Sequence, residues 1–405
     1  MNAPLNVAYF SPLPPVRSGI ADYSRELLPH LARSAQVTLF AEKPEEVDTS
    51  LQAAFSVRPI SDYPSQRWSF DLALYQMGDS MHHDAMYPML LRYPGLTVLH
   101  DYGLHHFIAT RTIQRGNYSS YVREMGYALG VEGVRWARDI RQGRREHPMF
   151  EVALNERVLD SSLGVIIHSR YAQKQIEARR PNLYTRVIPA PIQTESGLLL
   201  SRSELGCPED ALLFASVGQV IKIKQVTCAL EAFARLRESF PLARYVVVGE
   251  ELKNDLDLSA WLEQHGLQDA VLSTGYIPDM QRFVSWIAAA DVLINLRYPT
   301  VGETSATALR GMAAGRPVIV SNLGWYAELP DEVCVKVVPN DVDAVFGAMQ
   351  RLASEPDLRH AIGRRAAEYA RREHSLSHAA QMYLDFAEGI LANVAGRFRA
   401  RHPME

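Results

Sequence analysis

The feature that most constrains this chain is an alternation of short apolar runs with helical patterns that proceeds to about residue 190 and then begins again. Leu5–Phe10 is an apolar run halted by Ser11, Pro12, Pro14 and Pro15, and beyond Gly19 the residues Ile20, Tyr23, Leu27, Leu28 and Leu31 fall at helical spacing. Val37–Phe40, Asp71–Tyr75, Leu96–Leu99 and Gly164–Ile167 repeat the strand pattern. After the proline-bearing stretch Val187–Ile192 and a polar segment through Ser203, the alternation resumes. Its second pass has strands at Leu212–Val217, Arg244–Val248, Val271–Ser273, Val292–Asn295, Val318–Val320 and Val333–Val337, with a helix over Thr227–Arg237. Strands that are apolar throughout and separated by helices build a parallel sheet covered on both faces. The expected fold is therefore α/β, with two Rossmann-like doubly wound domains, 1–190 and 191–374, facing a central cleft. Such a cleft collects strand C-termini and helix N-termini and suits a phosphate-bearing ligand.

Composition narrows the class. A chain of 405 residues exceeds a single core and accommodates two. With 47% hydrophobic and 22% charged residues, disorder is excluded, and a net charge of −4 argues against a nucleic-acid partner. Cys207, Cys228 and Cys334 are too few and too scattered for a disulfide framework or zinc spacing, which points to a reducing, cytoplasmic address. The start, MNAPLNVAYFSP, lacks the pattern of a secretory signal. The longest apolar stretch, Phe283–Leu296, is interrupted by Asp291 and falls short of a membrane span.

Candidate chemistry gathers at strand ends. Ser18–Gly19 opens the first helix, where free backbone N–H groups meet an anion or simply receive an N-cap. His100 and Asp101 end the fourth strand, at the rim where open α/β sheets bind ligands, and Asp101 is also placed to cap the next helix. The histidines nearby (His82, His83, His105, His106) match no metal-ligand spacing, and His82 and His83 read as surface residues. Lysine is scarce, yet Lys222 and Lys224 both follow the strand ending at Val217, where a point charge suits a diphosphate. Farther on, Glu303, Thr304 and Ser305 precede a helix over Ser305–Ala314. They either cap it or, alternatively, offer a carboxylate to sugar hydroxyls and amides to phosphate. No G-x-G-x-x-G follows the first strand, which disfavours a dinucleotide-dependent dehydrogenase. Arg135, Arg138, Arg141, Arg144 and Arg145 recur as a basic stripe diluted by Glu132, Asp139 and Glu146, the pattern of a solvated helix face.

Several motifs resemble glycosyltransferase family 4: SPLPPVRSGIADYS, the VLHD rim, the spacing Gly218-x5-Lys224, YVVVG, and GETSATALRGMAAGRPVIVSN followed by GWYAELP. The resemblance runs through essentially the whole chain in the right order. It implies the GT-B fold, retaining transfer of a hexose-type sugar from a nucleotide-diphosphate sugar to a glycan, lipid-linked or other hydroxyl acceptor, and no metal or other cofactor. Cell-surface polysaccharide or glycoconjugate synthesis is the setting it suggests. It assigns Glu303, Lys224 and His100 to catalysis, and Gly19, Gly218, Lys222, Lys224, Thr304 and Ser305 to the donor diphosphate. Arg310 is assigned to the nucleotide region. It also implies that the C-terminal helix, 375–405, packs back on the first domain, and that the Arg135–Arg145 helix makes peripheral contact with an anionic membrane where the acceptor is lipid-linked. The sequence departs from the family pattern in three places. Gln219 stands where members often carry Arg, Gly302 falls where the first of two glutamates belongs with Glu303 one place late, and Arg310 replaces the second glutamate. Two other classes stay open on these grounds: a GT-B epimerase or phosphorylase, and a catalytically silent nucleotide-sugar binder.

Overall fold

A computed structural model describes residues 4–195, 197, 199–252 and 255–401, with side chains through Asn393. The chain forms two compact units. The first takes the described residues up to Pro191, the segment Val301–Thr304 and the helix Leu376–Arg401; the second takes Ile192–Thr300 and Ser305–Ser375. Val301–Thr304 thus packs with the first unit although its sequence position lies inside 191–374.

Among the described residues the first unit holds seven parallel strands: β1 (Leu5–Phe10), β2 (Ala35–Ala41), β3 (Ser56–Pro59), β4 (Leu72–Met77), β5 (Leu96–Leu99), β6 (Gly164–Ile167) and β7 (Thr185–Val187). Their order is β3-β2-β1-β4-β5-β6-β7. Register is set on both sides of the first strand, Val7 lying opposite Val37 and Leu72. Side chains alternate between two cores. Ala8 and Phe10 join Tyr75, Leu99 and Ile167 on one face, and Val7 and Tyr9 join Leu39, Val98 and Ile166 on the other. That second core is closed by the C-terminal helix through Leu376, Ala379, Tyr383 and Ile390. The Tyr383 hydroxyl also meets the Tyr23 hydroxyl of the helix Gly19–Leu31. Burying a side chain such as Leu376 or Ile390 contributes roughly 1.5–3 kcal/mol. The side chain of Val394, and residues 402–405 of the expected helix, lie outside the described residues.

The second unit holds β8 (Leu213–Val217), β9 (Arg244–Val248), β10 (Val271–Gly275), β11 (Val292–Asn295), β12 (Val318–Ser321) and β13 (Val335–Val337), ordered β10-β9-β8-β11-β12-β13 and again parallel. Phe214, Tyr245, Val247, Ile294 and Ile319 pack with Leu230 and Phe233 of the helix Val226–Leu236. Both sheets therefore carry the doubly wound order in which direction reverses beside the first strand. The ligand crevice of such a sheet opens at the carboxyl ends of the strands flanking that reversal: β1 and β4 in one unit, β8 and β11 in the other.

Candidate functional site

In the first unit the rim is assembled by the loops after β1, β4, β5 and β6. Ser18 caps the first helix, its Oγ accepting the Ile20 N–H at 3.2 Å. Ser24 ties that helix to the strand, its hydroxyl lying 2.9 Å from the Tyr9 hydroxyl and 2.7 Å from that of Ser11. A Cβ added to Gly19 would meet nothing within 4 Å, so no neighbour inside the protein requires glycine there. Gly78, after β4, is the opposite case. Its Cβ would fall 2.5 Å from Ile20 Cδ1 and 2.9 Å from Asp101 Oδ2.

His100, half-buried at the end of β5, places Nε2 2.7 Å from the Gln76 amide oxygen. Its ring meets Tyr23 edge-on at 4.7 Å and His168 at 5.1 Å. Burial, with the neighbouring His168 and His83 adding to it, holds its pKa well below the ordinary imidazole value, so it is neutral at physiological pH. Asp101 does not cap the following helix. Its Oδ2 accepts the Asp79 N–H at 2.8 Å, and Asp79 does the capping: its Oδ1 accepts the Phe107 N–H at 2.7 Å in the first turn of His105–Thr112. Burial raises the Asp79 pKa to about 7; the Phe107 N–H opposes that rise, and the charge of Glu303 adds to it.

Glu303 is nearly buried, 7% exposed, and turns back on its own loop, Oε2 accepting the Val301 N–H at 2.9 Å. The Val301 carbonyl in turn accepts the Gly103 N–H at 2.8 Å, and a Cβ on Gly302 would come within 2.7 Å of Tyr102 Cβ. Glu303 therefore does not cap the helix that follows. That helix, Ala306–Ala313, is capped by Ser305, whose Oγ accepts the Ala308 N–H at 3.2 Å. Thr304 belongs with the first unit and Ser305 with the second.

The half-site in the second unit is built around Gly218. Its φ is +107°, and the Gly218 N–H donates to the Val248 carbonyl at 2.7 Å. Gly249, with φ +147°, must be glycine, since a Cβ would sit 2.2 Å from the Gly218 carbonyl oxygen. The loop then forms a 3-10 turn, Lys222–Lys224, closed by Gln225 in the left-handed region at φ +50°. Gln225 is fixed by a reciprocal pair with Asn340: its Nε2 donates to Asn340 Oδ1 at 2.9 Å and its Oε1 accepts the Asn340 N–H at 3.1 Å. This geometry folds the Lys224 ammonium over the turn. The Cβ position of Gly218 lies 2.5 Å from Lys224 Nζ and 3.8 Å from Thr307 Oγ1, in the first turn of Ala306–Ala313. A small cavity beside them is lined by Gly218, Gln219, Lys224 and Asn295. A cation, a glycine turn and a helix N-terminus thus converge at the strand reversal, an arrangement that holds phosphate oxygens. Lys222 is exposed, and its backbone N–H donates to Asp255 Oδ2 at 2.6 Å. Arg310 lies at the other end of the helix, in its last turn.

Other expected features sit differently. His83 is fully buried rather than on the surface, its Nδ1 donating to the Ser80 carbonyl at 3.0 Å; burial lowers its pKa to about 4. His105 is buried too, bonded to the Val152 carbonyl and the Tyr121 hydroxyl. Among the described residues no group of three or more His, Cys, Asp or Glu is placed to hold a metal ion. The five-arginine stripe is not one helix face. Tyr118–Arg141 is kinked at Gly130, and Arg144 and Arg145 lie beyond its end, the first paired with Asp139 and the second stacked 3.5 Å over the Trp136 ring. No described helix is long and apolar enough to cross a membrane. Gln76 and Asp79 were visible in the sequence only as residues near a strand end. Nothing there marked Gln76 as the partner of His100 or Asp79 as the neighbour of Glu303.

Residues 200–369 match the model of the family described as glycosyl transferases group 1. Among curated proteins the chain is similar to the D-inositol 3-phosphate glycosyltransferase of Saccharomonospora viridis, with 30% identity over 185 residues, 42% of each chain. It is also similar to the protein of that name from Streptomyces griseus, with 27% identity over 223 residues, 52% of this chain and 46% of that one. Each match spans less than half the length of the curated relative. Two solved structures share the architecture nearly end to end. Sucrose-phosphate synthase from Thermosynechococcus elongatus covers 96% of this chain and 100% of its own at TM-score 0.67 and 18% identity. Anabaena HepE in complex with UDP-glucose covers 95% and 100% at TM-score 0.69 and 14% identity. The fold is that of the GT-B proteins, two parallel-sheet Rossmann-like domains.

Proposed function

We propose that this protein is a retaining glycosyltransferase that moves a hexose-type sugar from a nucleoside diphosphate sugar to a hydroxyl acceptor on a glycan, a lipid-linked saccharide or a comparable molecule. The observation that carries the reading is the Lys224 ammonium folded over the Gly218 turn beside the first turn of Ala306–Ala313, within the span that matches the group 1 model. In this reaction the bond between the anomeric carbon and the diphosphate oxygen breaks, and negative charge grows on the leaving diphosphate. A fixed ammonium and backbone amides at a helix start stabilise that charge without reorganising. The acceptor oxygen bonds to the anomeric carbon on the face the diphosphate leaves, and a diphosphate oxygen takes the acceptor proton.

In this reading Lys224, Gly218, Ser305 and the amides after it hold the diphosphate, assisted by Lys222 and Thr304, while Gly19 lets the ligand approach the backbone closely. His100 and Glu303 address sugar hydroxyls, the neutral imidazole and the carboxylate both serving as acceptors, and Arg310 contributes to the nucleotide region. Synthesis of cell-surface polysaccharide on the cytoplasmic side, with peripheral membrane contact through exposed Arg135, Arg138 and Arg141, fits the same reading. HepE was solved with UDP-glucose, which makes it the first donor to test. The experiment is a thermal-shift panel of UDP-, GDP-, dTDP- and ADP-sugars followed by donor hydrolysis and transfer assays. A ligand at 100 times its dissociation constant adds about 2.7 kcal/mol of stability. Stabilisation by one nucleotide class with turnover supports the proposal. Stabilisation without turnover identifies a silent nucleotide-sugar binder, and no response to any nucleotide sugar overturns both.

A further inference from the structure

Gln76 is an anomaly in the strand that carries it. β4 is buried along its whole length and is otherwise Leu72, Ala73, Leu74, Tyr75 and Met77, yet its fifth residue is a fully buried primary amide, 0% exposed. An amide in that position costs free energy unless its polar atoms are used. Its oxygen is used: Oε1 lies 2.7 Å from His100 Nε2. Its nitrogen is shut off from water and has no acceptor in full hydrogen-bonding geometry, but it stands beside the Tyr9 and Tyr383 hydroxyls, which interact with the amide. Those hydroxyls lie at the nitrogen end of the amide, which leaves Oε1 to the imidazole. Tyr383 comes from the C-terminal helix and Tyr9 from β1, so the amide is held from two elements.

We propose that Gln76 is a positioning residue that fixes the tautomer and ring orientation of His100. With Oε1 as acceptor, Nε2 carries the proton and Nδ1 is left as a lone-pair acceptor for a hydroxyl of the bound sugar. The inference rests on the reading of His100 given above for its functional meaning, but not for the tautomer itself. Tyr23 braces the same ring edge-on and is itself tied to the Tyr383 hydroxyl, so the C-terminal helix contributes to both supports of His100. The other titratable groups facing the imidazole are His168, whose Nδ1 donates to the Ile188 carbonyl at 2.8 Å, and His83. His83 stays neutral near pH 7, and the Tyr9, Tyr23 and Tyr383 phenols, raised by burial, stay protonated.

The test reads the ring directly. Long-range proton–nitrogen NMR spectra of the full-length protein, with His100 assigned through a His100→Asn variant, should show a single neutral Nε2–H tautomer. Gln76→Glu keeps the acceptor and adds a charge, so the His100 pKa should rise by roughly 1–3 units. UDP-glucose hydrolysis should then acquire an acid limb absent from the wild type, because protonation converts Nδ1 from acceptor to donor. Gln76→Met removes the acceptor with little change in volume. It should give mixed tautomers and about a tenfold lower kcat, with KM changed less than about twofold. It serves also if Gln76→Glu fails to fold. An Nδ1–H tautomer in the wild type, or a Gln76→Met variant with an unchanged ring signal and wild-type kcat, overturns the proposal. The Nε2–H tautomer with a raised pKa in Gln76→Glu, but no turnover of any nucleotide sugar, upholds it and sinks the glycosyltransferase reading instead.

Discussion

Lys224→Ala removes the ammonium and leaves the loop that carries it intact. That loop is also held by groups other than the lysine side chain. The Gln225 N–H donates to the Lys222 carbonyl at 2.9 Å, the Tyr298 N–H donates to the Ile223 carbonyl at 2.8 Å, and the Gln225 amide pairs with Asn340. The melting temperature should therefore stay close to wild type. A charge-assisted hydrogen bond to phosphate nets roughly 1.5–3 kcal/mol, and 1.4 kcal/mol is about tenfold in an equilibrium constant. Lys224 is half-exposed, so the lower half of that range applies, and UDP-glucose should bind about 10–40-fold more weakly by calorimetry. The transition state gains more from the same cation, because charge on the leaving diphosphate is larger there, and turnover should fall ~10²–10³-fold. Lys224→Arg should recover part of both. Lys222→Ala, which removes an exposed cation, should cost less than about threefold in affinity. If Lys224→Ala keeps more than about a third of wild-type turnover, a loss under roughly 1 kcal/mol, the diphosphate is held elsewhere and the assignment of the half-site fails.

Glu303→Gln keeps an oxygen for the Val301 N–H, so melting should be nearly unchanged while transfer falls well below wild type; a lower melting temperature with normal turnover would assign Glu303 a structural role instead. Asp79 tests a linkage. Its folded pKa of about 7 exceeds the unfolded carboxylate value, so between about pH 4 and 7 the native state holds a proton that the unfolded state has lost. Stability from this group is therefore present at low pH and is lost as pH rises through that window, at up to about 1.4 kcal/mol per pH unit. Asp79→Asn, which keeps the bond to Phe107, should flatten that slope in denaturant titrations at successive pH values. The two rim glycines should part company. Gly78→Ala should destabilise the protein through the Ile20 and Asp101 contacts, whereas Gly19→Ala should melt as the wild type does and lose donor affinity, and unchanged affinity would remove Gly19 from the site. Donor hydrolysis should persist in EDTA; activity abolished by the chelator and restored by magnesium or manganese would refute a charge scheme built on Lys224.

The central strands were legible because their middles are buried on both faces, so that Val165–Ile167, Tyr245–Val248 and Val292–Ile294 stand out as unbroken apolar runs. The edge strands β3 and β7 were not. Ser56–Pro59 and Thr185–Val187 alternate exposed and half-buried residues and end a sheet, where pairing needs no apolar run. Gly218, Lys224 and His100 could be placed at strand ends because the βα alternation locates rims without any tertiary contact. Glu303 could not be assigned to the first unit in the same way, since its position depends on the bond between Gly103 and Val301, residues nearly two hundred places apart in the chain. Gln76 was illegible for a related reason. A lone glutamine in an apolar run signals only that something polar lies opposite, and what lies opposite is a matter of tertiary structure.

The closing of one core by Leu376, Tyr383 and Ile390 has a consequence for biosynthesis. Both ends of the described chain contribute to the first unit, so the second unit is topologically an insertion within it. On the ribosome, a nascent first unit has Val7, Leu31, Leu72 and Leu96 uncovered while the whole of the second unit is being made. The second unit, whose core is drawn from one stretch of sequence, can complete its fold first. The molecule is thus expected to mature from its middle outward, and its early chain to be the natural client of a holdase.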